Sequence, residues 1–118
     1  MSPECEFYGT VLGLTEDSPL PLPGGGTEYR FMSNKTQIKF WSGAADLPVR
    51  TGSIGDALGF RYFTFMVSDV DEVAAQLKTR GAKIVVPPTD FGRIARIMMI
   101  ADPDGNWIEF AAVKTAPR

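Results

Sequence analysis

The segment Asp102-Pro103-Asp104-Gly105-Asn106-Trp107-Ile108-Glu109-Phe110 concentrates the chemistry of this chain. Glu109 stands between Ile108 and Phe110, two residues after Trp107. A carboxylate in an apolar, aromatic strand is either a surface charge or a group placed in a pocket. The period of two along a strand sends Ile108 and Phe110 to one face and Trp107 and Glu109 to the other. An acceptor and an indole therefore share a surface. The preceding residues read as a turn: Pro103 presets φ, Gly105 accepts positive φ, and the Asp and Asn side chains cap local backbone groups. Ile97-Met98-Met99-Ile100 forms an apolar strand before the turn, so the whole unit reads as a β-hairpin.

The chain has no histidine. Its single cysteine, Cys5, lacks an imidazole to activate it and reads as a structural thiol; it excludes an intrachain disulfide and fits a reducing cytoplasm. Lys39 and Trp41 alternate onto one face of Gln37-Ile38-Lys39-Phe40-Trp41. Lys39 reads as an edge-strand guard against aggregation or as a cation facing Glu109 in a cavity. Trp41 and Trp107 share the parity of Lys39 and Glu109, and either line that cavity or pack plainly. Tyr62 is a core aromatic or a hydroxyl donor to a ligand. Arg96 shares a strand with Ile94 and Met98, as a surface arginine or as a contact for an anionic ligand.

These side chains need a scaffold. With 118 residues, 44% of them hydrophobic, the chain suits one domain with a modest core. The net charge of −2, with signs interspersed, provides no footprint for nucleic acid. No signal peptide and no apolar run of membrane length is seen, which predicts a soluble cytoplasmic protein with no membrane partner.

Cys5 to Leu14 reads as a short helix ended by Gly13. Residues 15–26 hold Pro19, Pro21, Pro23 and Gly24-Gly25-Gly26, and predict a loop or hairpin tip. Glu28–Met32 and Gln37–Trp41 alternate around Ser33-Asn34-Lys35, a hairpin signal. A connector over 43–58 is rich in small residues. Strand 59–67 and helix 70–80 follow, the helix with Val70, Val73, Ala74 and Leu77 at helical spacing, Asp69 as N-cap and Gly81 just past its end. Lys83–Val86 reads as a strand stopped by Pro87-Pro88, and strands 94–100 and 107–112 complete the sheet.

Three segments resemble the vicinal oxygen chelate superfamily, which includes glyoxalases, bleomycin-resistance proteins and extradiol dioxygenases. They are the hairpin ending in Glu109, the run Phe7-Tyr8-Gly9-Thr10-Val11-Leu12-Gly13-Leu14, and Gly59–Val67 followed by Asp69-Val70-Asp71. The resemblance covers nearly the whole chain. It implies an α+β fold of paired βαβββ modules forming a cup-shaped mixed sheet, here with an incomplete first module, αβββ, over residues 1–42, and a complete second module over 59–118. The missing opening strand would lie upstream of Met1 or be replaced by a partner subunit, and a homodimer is expected.

Family metalloenzymes hold their ion with two histidines and two carboxylates, one from each of four strands. On that pattern Tyr62 stands at the second-half histidine position, Lys39 at the first-half carboxylate position and Glu109 at the last carboxylate. One carboxylate with a lysine and a tyrosine is a poor divalent-metal site, so no metal and no other cofactor is expected. The resemblance then implies a metal-free domain binding a small organic molecule, with Glu109, Tyr62, Lys39, Trp41, Trp107 and Arg96 as its lining. The alternative is a glyoxalase-like lyase, isomerase or dioxygenase whose ligands are completed by upstream residues or another subunit.

Overall fold

Residues 15–21 form a strand despite their prolines. In the computed structural model, which describes residues 2–23, 25–42 and 60–114, β1 (Thr15–Pro21) pairs antiparallel with β2 (Thr27–Ser33). This corrects the expected loop over 15–26. Proline is excluded from strand interiors because it cannot donate to a ladder, but edge strands and bulges tolerate it. β1 lies at the edge of a three-stranded sheet ordered β1-β2-β3, with β3 spanning Thr36–Trp41. Its register slips between Asp17 and Leu20, leaving Pro19 inside the irregularity. Arg30 Nη2 donates to the Ser18 carbonyl there at 2.8 Å. The hairpin tip falls later than expected, where Gly25 N donates to the Leu22 carbonyl and Leu22 N to that of Gly26.

The chain divides into two compact units, at Val49 and Arg50, and the expected connector 43–58 lies outside the described residues. The first unit opens with α1 (Pro3–Glu6), capped by Ser2 Oγ accepting from Cys5 N at 3.2 Å. The expected helix over Cys5–Leu14 is corrected at both ends. It starts earlier, because Ser2 caps it and Pro3 suits the first turn. From Phe7 to Val11 it widens into a π-helical turn. Leu12 N then donates to the Phe7 carbonyl at 2.9 Å, and Gly13 leaves the helix with φ 73°. Tyr8 and Phe31 are fully buried and pack with Phe7 and Phe40 into an aromatic cluster, with Tyr8 and Phe40 ring centroids 4.5 Å apart. Gly9 allows this: a Cβ there would stand 3.1 Å from Phe31 Cε1.

The second unit has the element order βαβββ, with β4 (Tyr62–Met66), α2 (Val70–Thr79), β5 (Lys83–Phe91), β6 (Ala95–Ala101) and β7 (Trp107–Val113). Its sheet is ordered β4-β7-β6-β5, with β4 parallel to β7 and the other pairs antiparallel. Within the described residues, from Phe60 on, β4 is shorter than the expected 59–67. β5, expected to stop at Val86, runs on to Phe91. It is again an edge strand, and its register slips on both sides of Val86, so Pro87 and Pro88 fall in a gap of the ladder. Asp69 Oδ1 accepts from Glu72 N at 3.1 Å as the predicted N-cap, and Gly81 ends the helix at φ 81°. Val70, Ala74 and Leu77 are buried with Met98, Ile100, Ile108 and Phe110 as this unit's core. The fold is α+β, two helices and two open sheets among the described residues.

Candidate functional site

Asp102 builds the turn that delivers Glu109. Its Oδ1 accepts from Asp104 N at 3.0 Å and Asn106 N at 2.8 Å, and its Oδ2 accepts from Asn106 Nδ2 at 3.0 Å. Gly105 takes φ 87°. The carboxylate is 5% exposed and so pins the entry to β7 from inside.

From Trp107 onward the strand alternates as its sequence predicts: Ile108 and Phe110 are buried, Trp107 and Glu109 half-exposed. Register places Glu109 beside Thr64 on β4 and Met99 on β6, and Trp107 beside Tyr62 and Ala101. These residues share the sheet face opposite the one carrying Ile108 and Phe110. Thr64 Oγ1 donates to Glu109 Oε1 at 2.8 Å. Tyr62, Trp107 and Glu109 are thus brought together, as the sequence anticipates. Thr64 is a further member that the sequence alone does not single out. Its signal is parity with Tyr62, which becomes informative only when β4 is known to pair with β7.

Arg96 lies elsewhere. Opposite parity puts it on the helix-bearing face, where Nε and Nη2 donate to Asp71 at 2.7 and 3.0 Å and Nη1 to Asp90 at 3.0 Å. Lys114 Nζ stands 3.1 Å from the same Asp90 oxygen. The Arg96 hydrogen bond holds the Asp71 carboxyl below its ordinary value. For Asp90 the Lys114 hydrogen bond is the larger cause and that from Arg96 the next. Arg96 itself is pushed upward, first by Asp71 and then by Asp90.

In the first unit, Trp41 and Lys39 share a face, as predicted, and both meet Glu28. Trp41 Nε1 donates to Glu28 Oε1 at 3.0 Å, and Lys39 Nζ lies 4.0 Å from that oxygen. Glu28 is a second residue missed from the sequence, legible only through its register with Trp41. The expected pairing of Lys39 with Glu109 joins residues of different units; each has its own partner, Glu28 and Thr64, within its unit.

The two units repeat one another locally. Ile38-Lys39-Phe40 on β3 matches Ile108-Glu109-Phe110 on β7, each on the later strand of an antiparallel pair. Lys39 therefore holds the place in its module that Glu109 holds in its own. That substitution decides the donor chemistry. An ammonium repels a divalent ion, the chain has no histidine, and among the described residues no three His, Cys, Asp or Glu side chains group as metal ligands. The residues present do not fit the metal centre that the family pattern implies.

A family model for the glyoxalase, bleomycin-resistance protein and dioxygenase superfamily matches residues 3–110. Among solved structures, a glyoxalase family protein from Enterococcus faecalis superposes with a TM-score of 0.73 at 22% identity, covering 92% of this chain and 86% of its own. TnmS3, an antibiotic binding protein from Streptomyces, gives 0.67 at 19%, covering 95% and 85%. The fosfomycin resistance protein FosX from Listeria monocytogenes gives 0.71 at 16%, covering 95% and 83%. At such identities these likenesses speak for the fold. With the family model spanning almost all of its length, the chain belongs to the glyoxalase/bleomycin-resistance protein/dioxygenase superfamily.

Proposed function

We propose that this protein is a metal-free small-molecule-binding domain, which holds an organic ligand on the face of its second sheet that carries Glu109. The carrying observation is the grouping of Tyr62, Thr64, Trp107 and Glu109 on one face, joined by a 2.8 Å hydrogen bond between hydroxyl and carboxylate. Aromatic walls with a few placed polar groups are what small-molecule sites use. The metal-free part of the reading rests on donor chemistry, since Lys39 and Tyr62 stand at two of the family's ligand positions. TnmS3, an antibiotic binding protein, shares the fold, which is compatible with a binding role for this chain. Cys5, a buried free thiol, agrees with a reducing cytoplasm.

The test is ligand-observed NMR on protein treated with a chelator, against a broad set of aromatic small molecules. Binders are expected, and Trp107→Ala and Tyr62→Ala should each weaken them about tenfold, the scale of one lost aromatic contact. Binding that requires added metal, or no binder in the set, would overturn the reading.

We further propose that the protein works as a homodimer. β3 is the outer strand of the first sheet, with no second neighbour among the described residues, and open edges invite association. Phe91, Ile94 and Val113, 65–70% exposed, add apolar surface in the second unit.

A further inference from the structure

We propose, resting on the small-molecule reading above, that the ligand is an organic cation with a planar aromatic part, its positive charge received by Glu109. The inference comes from the charge layout of the second sheet. Register orders the face that carries Glu109 into rows across the strands. One row runs Lys83, Ala101, Trp107, Tyr62; the next runs Val86, Met99, Glu109, Thr64; a third runs Thr89, Ile97, Ala111, Met66. On the two strands that carry the site, β4 and β7, Glu109 is the only charged residue in these rows.

The cations on the strands of this sheet, with Lys114 just past β7, are engaged or distant. Arg96 and Lys114 are held by Asp71 and Asp90. Lys83 sits on β5, two strands from Trp107, or about 10 Å by strand spacing. Glu109 accepts one hydrogen bond, from the neutral Thr64 hydroxyl, and no ion pair among the described residues balances it. A half-buried carboxylate without a counter-charge is costly to desolvate further. An anionic or neutral ligand lying over it would impose that cost, whereas a cationic one would offset it. Trp107 and Tyr62, adjacent in register, offer electron-rich ring faces that attract the same charge. Met66, 64% exposed, supplies a polarizable apolar contact in the row beside that of Glu109. Acceptor and aromatic walls thus favour one sign.

The experiment compares three probes of one bicyclic shape: N-methylquinolinium, methylnaphthalene and naphthalenesulfonate. Their affinities are measured by calorimetry or NMR titration on the full chain at low salt. The cation should bind about tenfold more tightly than the neutral probe, and the anion most weakly. Glu109→Gln keeps an oxygen for the Thr64 hydroxyl. It should erase the cation's advantage over the neutral probe. Added salt should shrink the preference in the wild type alone. Equal binding of all three probes, or a cation preference that survives Glu109→Gln, would overturn this inference and leave the small-molecule reading standing. Failure of every probe to bind, with Tyr62 and Trp107 resonances unmoved, would count against both.

Discussion

Asp102 and Glu109 belong to one short motif, yet their environments assign them different tasks. Asp102 is buried and accepts three hydrogen bonds from its own turn, so its carboxylate is a structural part. Asp102→Ala should cost about 1–3 kcal/mol in urea unfolding, the scale of orphaned donors. Asp104→Ala, exposed in the same turn, should be nearly silent; equal losses would show that turn propensity, not the buried carboxylate, carries the effect. The sequence reveals that turn because each residue in it acts locally. It does not reveal whether Arg96 faces a ligand or a helix, since that depends on partners, Asp71 and Asp90, from two other elements. This cluster makes a pH prediction. Both carboxyls are held below 3.8; a depressed folded value means their contribution is present above the ordinary aspartate value and is lost as pH falls through the lower folded one. Arg96→Met should therefore lower the urea midpoint slightly near neutrality and by less in strong acid. A gap of the same size at both would assign the loss to packing of the arginine stem.

The elements that were legible are those whose signals are short-range: α2 with its Asp69 cap, the β2–β3 hairpin and the β6–β7 hairpin all fall within a residue or two of expectation. The two misread strands share one cause. β1 and the second half of β5 contain prolines, and proline signals a stop unless the strand lies at an edge, a fact about the sheet rather than the segment. Both turn out to be edge strands with register slips beside their prolines. The first helix departs from expectation for another reason, since its widening into a π-turn accompanies packing: Tyr8 turns inward onto Phe31 and Phe40, with Phe7 edge-on to Tyr8. Gly9 is the element-scale test. A Cβ at 3.1 Å from a ring carbon forces Phe31 to move, and Phe31 is 0% exposed. Gly9→Ala should therefore destabilise by about 1–2 kcal/mol, overpacking outweighing the gain in helix propensity. Pairing it with Phe31→Leu should give less than the sum of the single losses in a double-mutant cycle. A stabilising Gly9→Ala would mean that the cluster yields freely.

At the scale of the molecule, one module pattern is written twice with different chemistry. Ile38-Lys39-Phe40 and Ile108-Glu109-Phe110 keep the apolar residues that pack each sheet and exchange the group between them for one of opposite sign. The core positions preserve the fold, while the position that would hold a metal has changed in kind. Dialysed protein should accordingly contain far less than one equivalent of zinc, nickel, iron or manganese by elemental analysis, and a full equivalent of any would refute the donor argument. The repeat also differs in its edges. β7 lies between β4 and β6, whereas its counterpart β3 has only β2 beside it among the described residues. An exposed ladder of N–H and C=O groups favours pairing with another chain, and the exposed Phe91, Ile94 and Val113 favour burial against a second surface. A dimer is therefore expected by light scattering at micromolar concentration. The two surfaces can be told apart: Phe91→Lys with Val113→Lys should yield monomer if the apolar patch is the interface, and Ile38→Pro, which disrupts β3, should do so if the edge is. A wild-type monomer with a cooperative melt would show that both surfaces are satisfied without a partner.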